Sequence, residues 1–185
     1  LRFDKTLTGM DLDVDQEQRS LLRRLEWAVG RLDIRKISTA MPAVGLNIAS
    51  ALADAKVAED VAAFPGKITM VDGKLRHHET PSFGASTHLA NLLLQVMNKD
   101  SEKVAILNIR PPMLDDGVNV EKVRAVCNDL GYKLSMAPKG VIEKGTSKVD
   151  ILLDEGAFGW EPSVYILAHN PLELIDRCHQ VLSSF

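Results

Sequence analysis

Helical and strand patterns alternate along most of this chain, and that alternation restricts the folds available to it. Four segments carry the three- and four-residue apolar spacing of amphipathic helices: 14–32, 86–98, 119–130 and 171–183. Four short apolar runs between or beside them are predicted strands: 104–109, 132–136, 149–153 and 164–168. This order favours an α/β fold in which helices cover a sheet.

A hairpin interrupts the alternation, so we expect a mixed sheet. Residues 67–71 and 74–78 flank Asp72-Gly73, a pair typical of two-residue hairpin turns. Periodicity leaves residues 47–52 open between a strand and a short helix. Residues 58–64 are predicted to form a short helical turn that ends at Pro65.

Composition excludes several functional classes. The 185 residues carry a formal net charge of −3, which gives no electrostatic case for a nucleic-acid-binding surface. No apolar run approaches the roughly 20 residues of a membrane span, and the first five residues lack a signal peptide's apolar stretch. We therefore expect a cytoplasmic protein without membrane association.

Neither thiol nor imidazole pairs indicate a metal site. Cys127 and Cys178 belong to no C-x-x-C motif and are predicted to be buried, reduced thiols. His77 and His78 are adjacent in a predicted strand and so point to opposite faces. The sequence leaves any metal ligands unknown and disfavours a metal-dependent aldolase-type enzyme.

The segment Phe83–His88 lies where a loop becomes a helix, a position suited to phosphate. Gly84 and Ala85 would let a ligand approach the backbone, and Ser86 could cap the helix or donate to a phosphate oxygen. His88, in the first turn, could donate to an anionic leaving group. The alternative is that Ser86 only caps the helix and His88 is an ordinary half-exposed histidine.

Taken together, several ordered blocks resemble the ThiN family, the archaeal-type thiamine-phosphate synthase domain. The similarity runs over residues 41–185 and rests on five segments: 44–48 (VGLNI), 60–69 (DVAAFPGKIT), 83–88 (FGASTH), 107–110 (LNIR) and 156–162 (GAFGWEP). We read residues 1–185 as a single domain, with residues 1–33 as an N-terminal helical segment.

The resemblance implies a three-layer α/β/α fold with a mixed, largely antiparallel sheet, related to aldolase-like domains. It also implies a homodimer that uses Mg²⁺ and joins hydroxymethylpyrimidine diphosphate to thiazole phosphate, giving thiamine monophosphate and pyrophosphate. Related domains bind thiamine phosphates without making them, as sensors in transcription regulators. We therefore keep a non-catalytic sensor as the alternative, with fusion to a pyrimidine kinase or a DNA-binding module expected in a longer chain.

The resemblance also implies the site residues. His88 matches the family's catalytic histidine, whereas Lys67 stands where the family has an arginine, keeping the charge but losing the planar fork. The expected substrate- and phosphate-binding residues are Asn47, Gly84, Ala85, Ser86, Asn108, Arg110 and Glu161. From the residues alone, the asparagines could equally serve turns, and the glutamate could be a surface loop carboxylate.

Overall fold

The computed structural model describes the backbone of residues 9–185 and the side chains from residue 15 onward. This part contains five α-helices: α1 (Gly9–Gly30), α2 (Ile34–Ile37), α3 (Thr87–Met97), α4 (Val120–Leu130) and α5 (Pro171–Ser184). Within it, no helix has the length and apolar character needed to cross a membrane. The first eight residues of the predicted N-terminal segment lie outside the described residues.

The described residues form eleven strands, seven of which make one sheet. The strands are β1 (Ile48–Ala51), β2 (Val61–Ala63), β3 (Ile68–Val71), β4 (Lys74–His77), β5 (Ser82–Phe83), β6 (Ala105–Ile109), β7 (Met113–Leu114), β8 (Gly117–Val118), β9 (Leu134–Met136), β10 (Ile151–Asp154) and β11 (Ser163–Ala168). The order in the main sheet is β5-β2-β1-β6-β11-β10-β9, and only β9 and β10 run parallel. The remaining strands form the hairpins β3–β4 and β7–β8.

Helices cover both faces of the sheet, because strand residues alternate between two apolar clusters. On one face, Leu107 and Ile166 pack in a cluster with Leu25 of α1 and Leu174 of α5. The other face packs on α3, whose buried side chains include Leu92 and Leu93. The predicted three-layer α/β/α fold with a mixed, largely antiparallel sheet is therefore confirmed.

Local capping signals in the sequence are confirmed. Ser86 and Asn170 accept backbone hydrogen bonds at the first turns of α3 and α5, and Asn119 does the same for α4. The predicted cysteines are buried and free, and burial raises the pKa of the Cys178 thiol to about 12.

The prediction for residues 58–64 is wrong in part. Only Ala58–Asp60 form a 3-10 turn, and Val61–Ala63 form strand β2. This strand pairs with β1 on one side and β5 on the other, and all three residues are buried. Long-range pairing therefore overrides the local helical signal. The open segment at 47–52 contains a strand, β1.

The β3–β4 hairpin is attached to the main sheet by one bridge next to the candidate site. The backbone N–H groups of Leu46 and Ile68 each donate to the other's carbonyl, at 2.9 and 2.7 Å. This bridge brings Lys67, just before β3, to the same sheet end as the start of β1.

Candidate functional site

A cavity of about 350 Å³ opens at this end of the sheet, beside the first turn of α3. Residues from five separate regions of the chain meet there, including the loop before β1, the turn before β3 and the loop before β11. Its lining includes Gly45, Asn47, Lys67, Ser86, His88, Asn108, Trp160, Glu161 and Tyr165. The cavity thus collects six of the nine residues predicted as functional.

His88 is held by contacts on several sides of its ring. Its Nε2 lies 2.7 Å from the hydroxyl oxygen of Tyr165. The Trp160 ring meets the imidazole edge-on, with ring centroids 5.6 Å apart. Gly140 leaves room for the ring, because a Cβ there would lie only 3.2 Å from His88 Cε1. The imidazole is therefore oriented before any ligand arrives.

The surroundings of His88 favour its neutral form. Burial lowers the pKa of the imidazole below its ordinary 6.5, the carboxylate of Asp154 opposes that effect, and the Lys67 ammonium lowers the pKa further. A neutral imidazole carries one N–H donor, so at neutral pH His88 is a hydrogen-bond donor without a positive charge.

Lys67, unlike His88, is constrained by the described residues at its backbone and stem but not at its charged group. It follows the Pro65-Gly66 turn, in which its N–H donates to the Phe64 carbonyl at 3.2 Å, and its backbone is left-handed, with φ of 66°. A Cβ at Gly45 would lie 3.3 Å from Lys67 Cβ, so that glycine makes room for the lysine stem. Among the described side chains, none forms an ion pair with the Lys67 ammonium. Its charge is available to an anionic ligand.

Ser86 caps α3 and also lines the cavity. Its Oγ accepts the N–H of Leu89 at 3.4 Å. The unpaired N–H groups of the first turn and the helix dipole favour negative charge at this point. The predicted capping role is confirmed, and the position also suits phosphate.

The two asparagines build the floor of the cavity through bonds to backbone. Asn47 Oδ1 accepts the Phe64 N–H at 3.0 Å, and its Nδ2 donates to the Phe64 carbonyl at 3.0 Å. Asn108 Oδ1 accepts the Asn47 N–H at 2.7 Å, and its Nδ2 donates to the Gly45 carbonyl at 3.3 Å. Both amides thus replace strand pairing where the strands separate, a structural role that sequence reasoning left open.

Glu161 joins two loops at the mouth of the cavity. Its carboxylate oxygens accept the N–H groups of Ala43 and Val44, at 2.6 and 3.1 Å. The glutamate is therefore engaged on both oxygens, and its direct contribution is to fix the loop before β1 against the loop before β11.

The sequence model of the family described as thiamine-phosphate synthase ThiN matches residues 24–180. The chain belongs to this family. It is 25% identical over 165 residues to thiamine-phosphate synthase ThiN of Methanothermobacter thermautotrophicus, covering 78% of this chain and 83% of that protein. It is 28% identical over 173 residues to the bifunctional thiamine biosynthesis protein ThiDN of Methanocaldococcus jannaschii, covering 86% of this chain but only 40% of that longer relative.

Solved structures share the fold of this ThiN chain. The crystal structure of the C-terminal domain of protein MJ0236 superposes with a TM-score of 0.74 at 23% identity, covering 90% of this chain and 96% of that one. The C-terminal domain of phosphomethylpyrimidine kinase gives a TM-score of 0.69 at 22% identity, covering 89% and 97%.

Three of the residues predicted from the ThiN resemblance do not line the cavity. Gly84 and Ala85 precede the capping serine, and Ala85 packs beside the apolar cluster under α3. Arg110 is exposed after β6, where its N–H donates to the Ala40 carbonyl at 2.8 Å. Ligand binding by these three residues stays a prediction.

Sequence reasoning missed the residues that hold His88 and its neighbouring loop in place. Tyr165 bonds His88 from 77 residues away, and no local motif marks it. Trp160 lies inside a matched block, and its Nε1 donates to Asp154 Oδ2 at 2.8 Å. Gln95 donates to the Gly140 carbonyl at 2.9 Å and accepts the Ile142 N–H at 3.0 Å. These contacts hold the loop that packs on the catalytic histidine candidate.

The described residues show no large cluster of metal-ligand side chains. Their side chains include no group of three or more His, Cys, Asp or Glu placed to hold a metal ion. Glu161, which lines the cavity, is engaged with two backbone N–H groups, and Asp154, whose charge acts on His88, is engaged with Gly156 and Trp160.

Proposed function

We propose that this ThiN protein is a thiamine-phosphate synthase, a transferase that joins hydroxymethylpyrimidine diphosphate to thiazole phosphate. The products would be thiamine monophosphate and pyrophosphate. One observation carries the proposal: the Lys67 ammonium, which no described side chain pairs, and the oriented imidazole of His88 line the same cavity, beside the start of α3. The names of the relatives point to the same chemistry.

The reaction asks little covalent chemistry of the protein. The C–O bond between the pyrimidine methylene and the diphosphate breaks, and pyrophosphate leaves with the electron pair. The thiazole nitrogen then supplies its lone pair to form the new C–N bond, so no proton has to move. The protein must align the two substrates and stabilise charge on the leaving group.

The cavity offers three features suited to that leaving group. The Lys67 ammonium supplies a positive charge that has no counter-ion among the described side chains, and His88 supplies an N–H donor. The first turn of α3, capped by Ser86, supplies the positive end of a helix dipole. All three act more strongly as negative charge grows on the departing pyrophosphate, which is the condition for catalysis rather than mere binding.

The rest of the lining suits flat, weakly polar rings. Trp160 and Tyr165 supply aromatic surface, and the engaged amides of Asn47 and Asn108 form a floor whose hydrogen-bonding groups are satisfied. We propose that these side chains fix the shape of the pyrimidine and thiazole sites, whereas Lys67 and His88 act on the phosphate groups.

We propose that Mg²⁺ is bound mainly by the substrate. Mg²⁺ in phosphate-transfer sites is often bound mainly by substrate oxygens and water. Because the carboxylates of Asp154 and Glu161 are engaged, we propose that Mg²⁺ enters with the diphosphate, and we assign no step to it. We also propose that the protein is a cytoplasmic homodimer. Fusion to a pyrimidine kinase in a longer chain is a further part of the proposal, and a bifunctional relative supports it.

A turnover assay tests the proposal. The protein is incubated with both substrates and Mg²⁺, and thiamine monophosphate is measured by chromatography. Product formation that depends on both substrates is the expected result. Tight binding of thiamine monophosphate without any synthesis, in the wild type and in Lys67→Arg, would instead support the sensor, the alternative raised by the lysine at position 67.

A further inference from the structure

The hydrogen bond between His88 and Tyr165 engages one of the two imidazole nitrogens and leaves the other free of partners among the described residues. The Tyr165 hydroxyl lies 2.7 Å from Nε2, whereas Nδ1 has no hydrogen-bond partner among the described residues. Tyr165 is only 3% exposed and lies on β11, between β6 and β10 in the sheet. The phenol is therefore a fixed partner that the central strands position.

The hydrogen in this bond can come from either group. Burial raises the pKa of Tyr165 to about 12, so the phenol keeps its hydrogen at neutral pH, while His88 is neutral there. A phenol is the stronger hydrogen-bond donor of the two, and an unprotonated imidazole nitrogen is a better acceptor than a phenol oxygen. The O–H···N arrangement is thus the favoured one.

We propose that Tyr165 is a positioning residue that donates its O–H to Nε2 of His88, holding the imidazole hydrogen on Nδ1 for the diphosphate group. The proposal deepens the synthase function given above and rests on it for the identity of the ligand. The edge contact with Trp160, itself tied to Asp154, and the close approach of Gly140 keep the ring from turning over.

The proposal gives His88 a specific part in the reaction. Its Nδ1–H donates to an oxygen of the pyrophosphate as the C–O bond breaks, and the hydrogen stays on the nitrogen. The leaving group takes the electron pair and is stabilised by a hydrogen bond, so the step balances without a general acid. The Tyr165 hydroxyl acts through His88, while the Tyr165 ring remains part of the cavity wall.

Nitrogen-15 NMR of protein labelled at histidine reads the tautomer directly and needs no turnover. For the wild type we expect His88 to show a protonated Nδ1 and an unprotonated Nε2, with its signals assigned by their loss in His88→Gln. Tyr165→Phe should move the signals toward a mixture of tautomers. Tyr132→Phe is the matched control, because the chain's other tyrosine bonds Gln180 and should leave His88 unchanged.

Kinetics give a second readout. Tyr165→Phe should lower kcat about five- to tenfold, the effect of losing one hydrogen bond, with both KM values within about twofold. Tyr132→Phe should match the wild type.

A wild-type His88 with its hydrogen on Nε2, or a His88 spectrum unchanged in Tyr165→Phe, would overturn the proposal. The wild-type spectrum suffices if Tyr165→Phe does not fold. Absence of product would refute the synthase alone, because the tautomer is measured without substrates.

Discussion

The two walls of the cavity hold their functional groups differently. On one wall, His88 is bonded by Tyr165 and packed against Trp160 and Gly140, so the direction of its ring is fixed, and the proposed Tyr165 bond fixes its hydrogen as well. On the other wall, the stem of Lys67 leans on Gly45, but its ammonium has no ion-pair partner among the described side chains. The cavity therefore has a hydrogen-bond donor of fixed orientation, His88, on one wall and a charged group that can adjust its position, Lys67, on the other.

This difference predicts which changes each wall tolerates. A hydrogen-bond donor loses its effect when its orientation is disturbed. A charged group on a flexible side chain can adjust its position when the side chain is replaced by another of the same charge. Substitutions around His88 should therefore lower the rate of the chemical step, and a substitution of Lys67 that keeps its charge should have little effect.

The largest effect is expected for His88→Ala. Removing a donor that strengthens as charge develops typically lowers kcat by about 10²–10³. KM for the diphosphate substrate should change by less than about threefold, because the donor acts mainly in the transition state. Steady-state kinetics with both substrates give the two numbers, and a large rise in KM with kcat unchanged would mean that His88 only binds substrate.

A smaller loss is expected for Gly140→Ala. The new Cβ would lie 3.2 Å from His88 Cε1 and push the ring, lowering kcat about tenfold. Gly145→Ala is a matched control, since that glycine also has a positive φ, 84° against 75°, but has no atom within 4 Å of its added Cβ. Both should cost about 1–2 kcal/mol of stability, measured by denaturant unfolding. Equal kcat values in the two variants would show that the His88 contact does not matter.

The pH dependence should be weak near neutrality. The neutral imidazole is the proposed working form, and its pKa lies below 6.5, so at pH 6.5 more than half of His88 remains neutral. An NMR titration of His88 in the free protein should therefore give a midpoint below pH 6.5, with protonation increasing as pH falls. A midpoint at or above pH 6.5 would contradict the environment described for this ring.

The smallest effect is expected for Lys67→Arg. Arginine keeps the charge of the lysine, and its fork suits phosphate oxygens, so kcat should stay equal or rise by up to about threefold. Lys74→Arg, on the exposed end of the same hairpin, controls for the exchange itself. A tenfold loss in Lys67→Arg would mean that this wall is as shape-dependent as the other.

The features that the sequence predicted well depend on residues that are close together in the chain. The caps Ser86, Asn119 and Asn170 each bond an N–H three residues on, so local pattern suffices to find them. The same locality predicted the Asp72-Gly73 hairpin, whose strands pair as expected.

What the sequence could not predict depends on distant partners. The sequence of β2 is typical of a helical turn, and only its pairing with β1 and β5 makes it a strand. Asn47, predicted as a binding residue, lines the cavity, but its engagement with Phe64 follows only from the folded strands. Tyr165 reaches His88 across 77 residues, a contact that no spacing encodes.

A crystal structure with pyrophosphate tests the central claim, that the diphosphate group lies between Lys67 and His88. The account predicts a phosphate oxygen within about 3.2 Å of the Lys67 Nζ and another at the same distance from His88 Nδ1, beside the Ser86 end of α3. Pyrophosphate bound at full occupancy elsewhere on the protein, with this cavity holding only water, would contradict it.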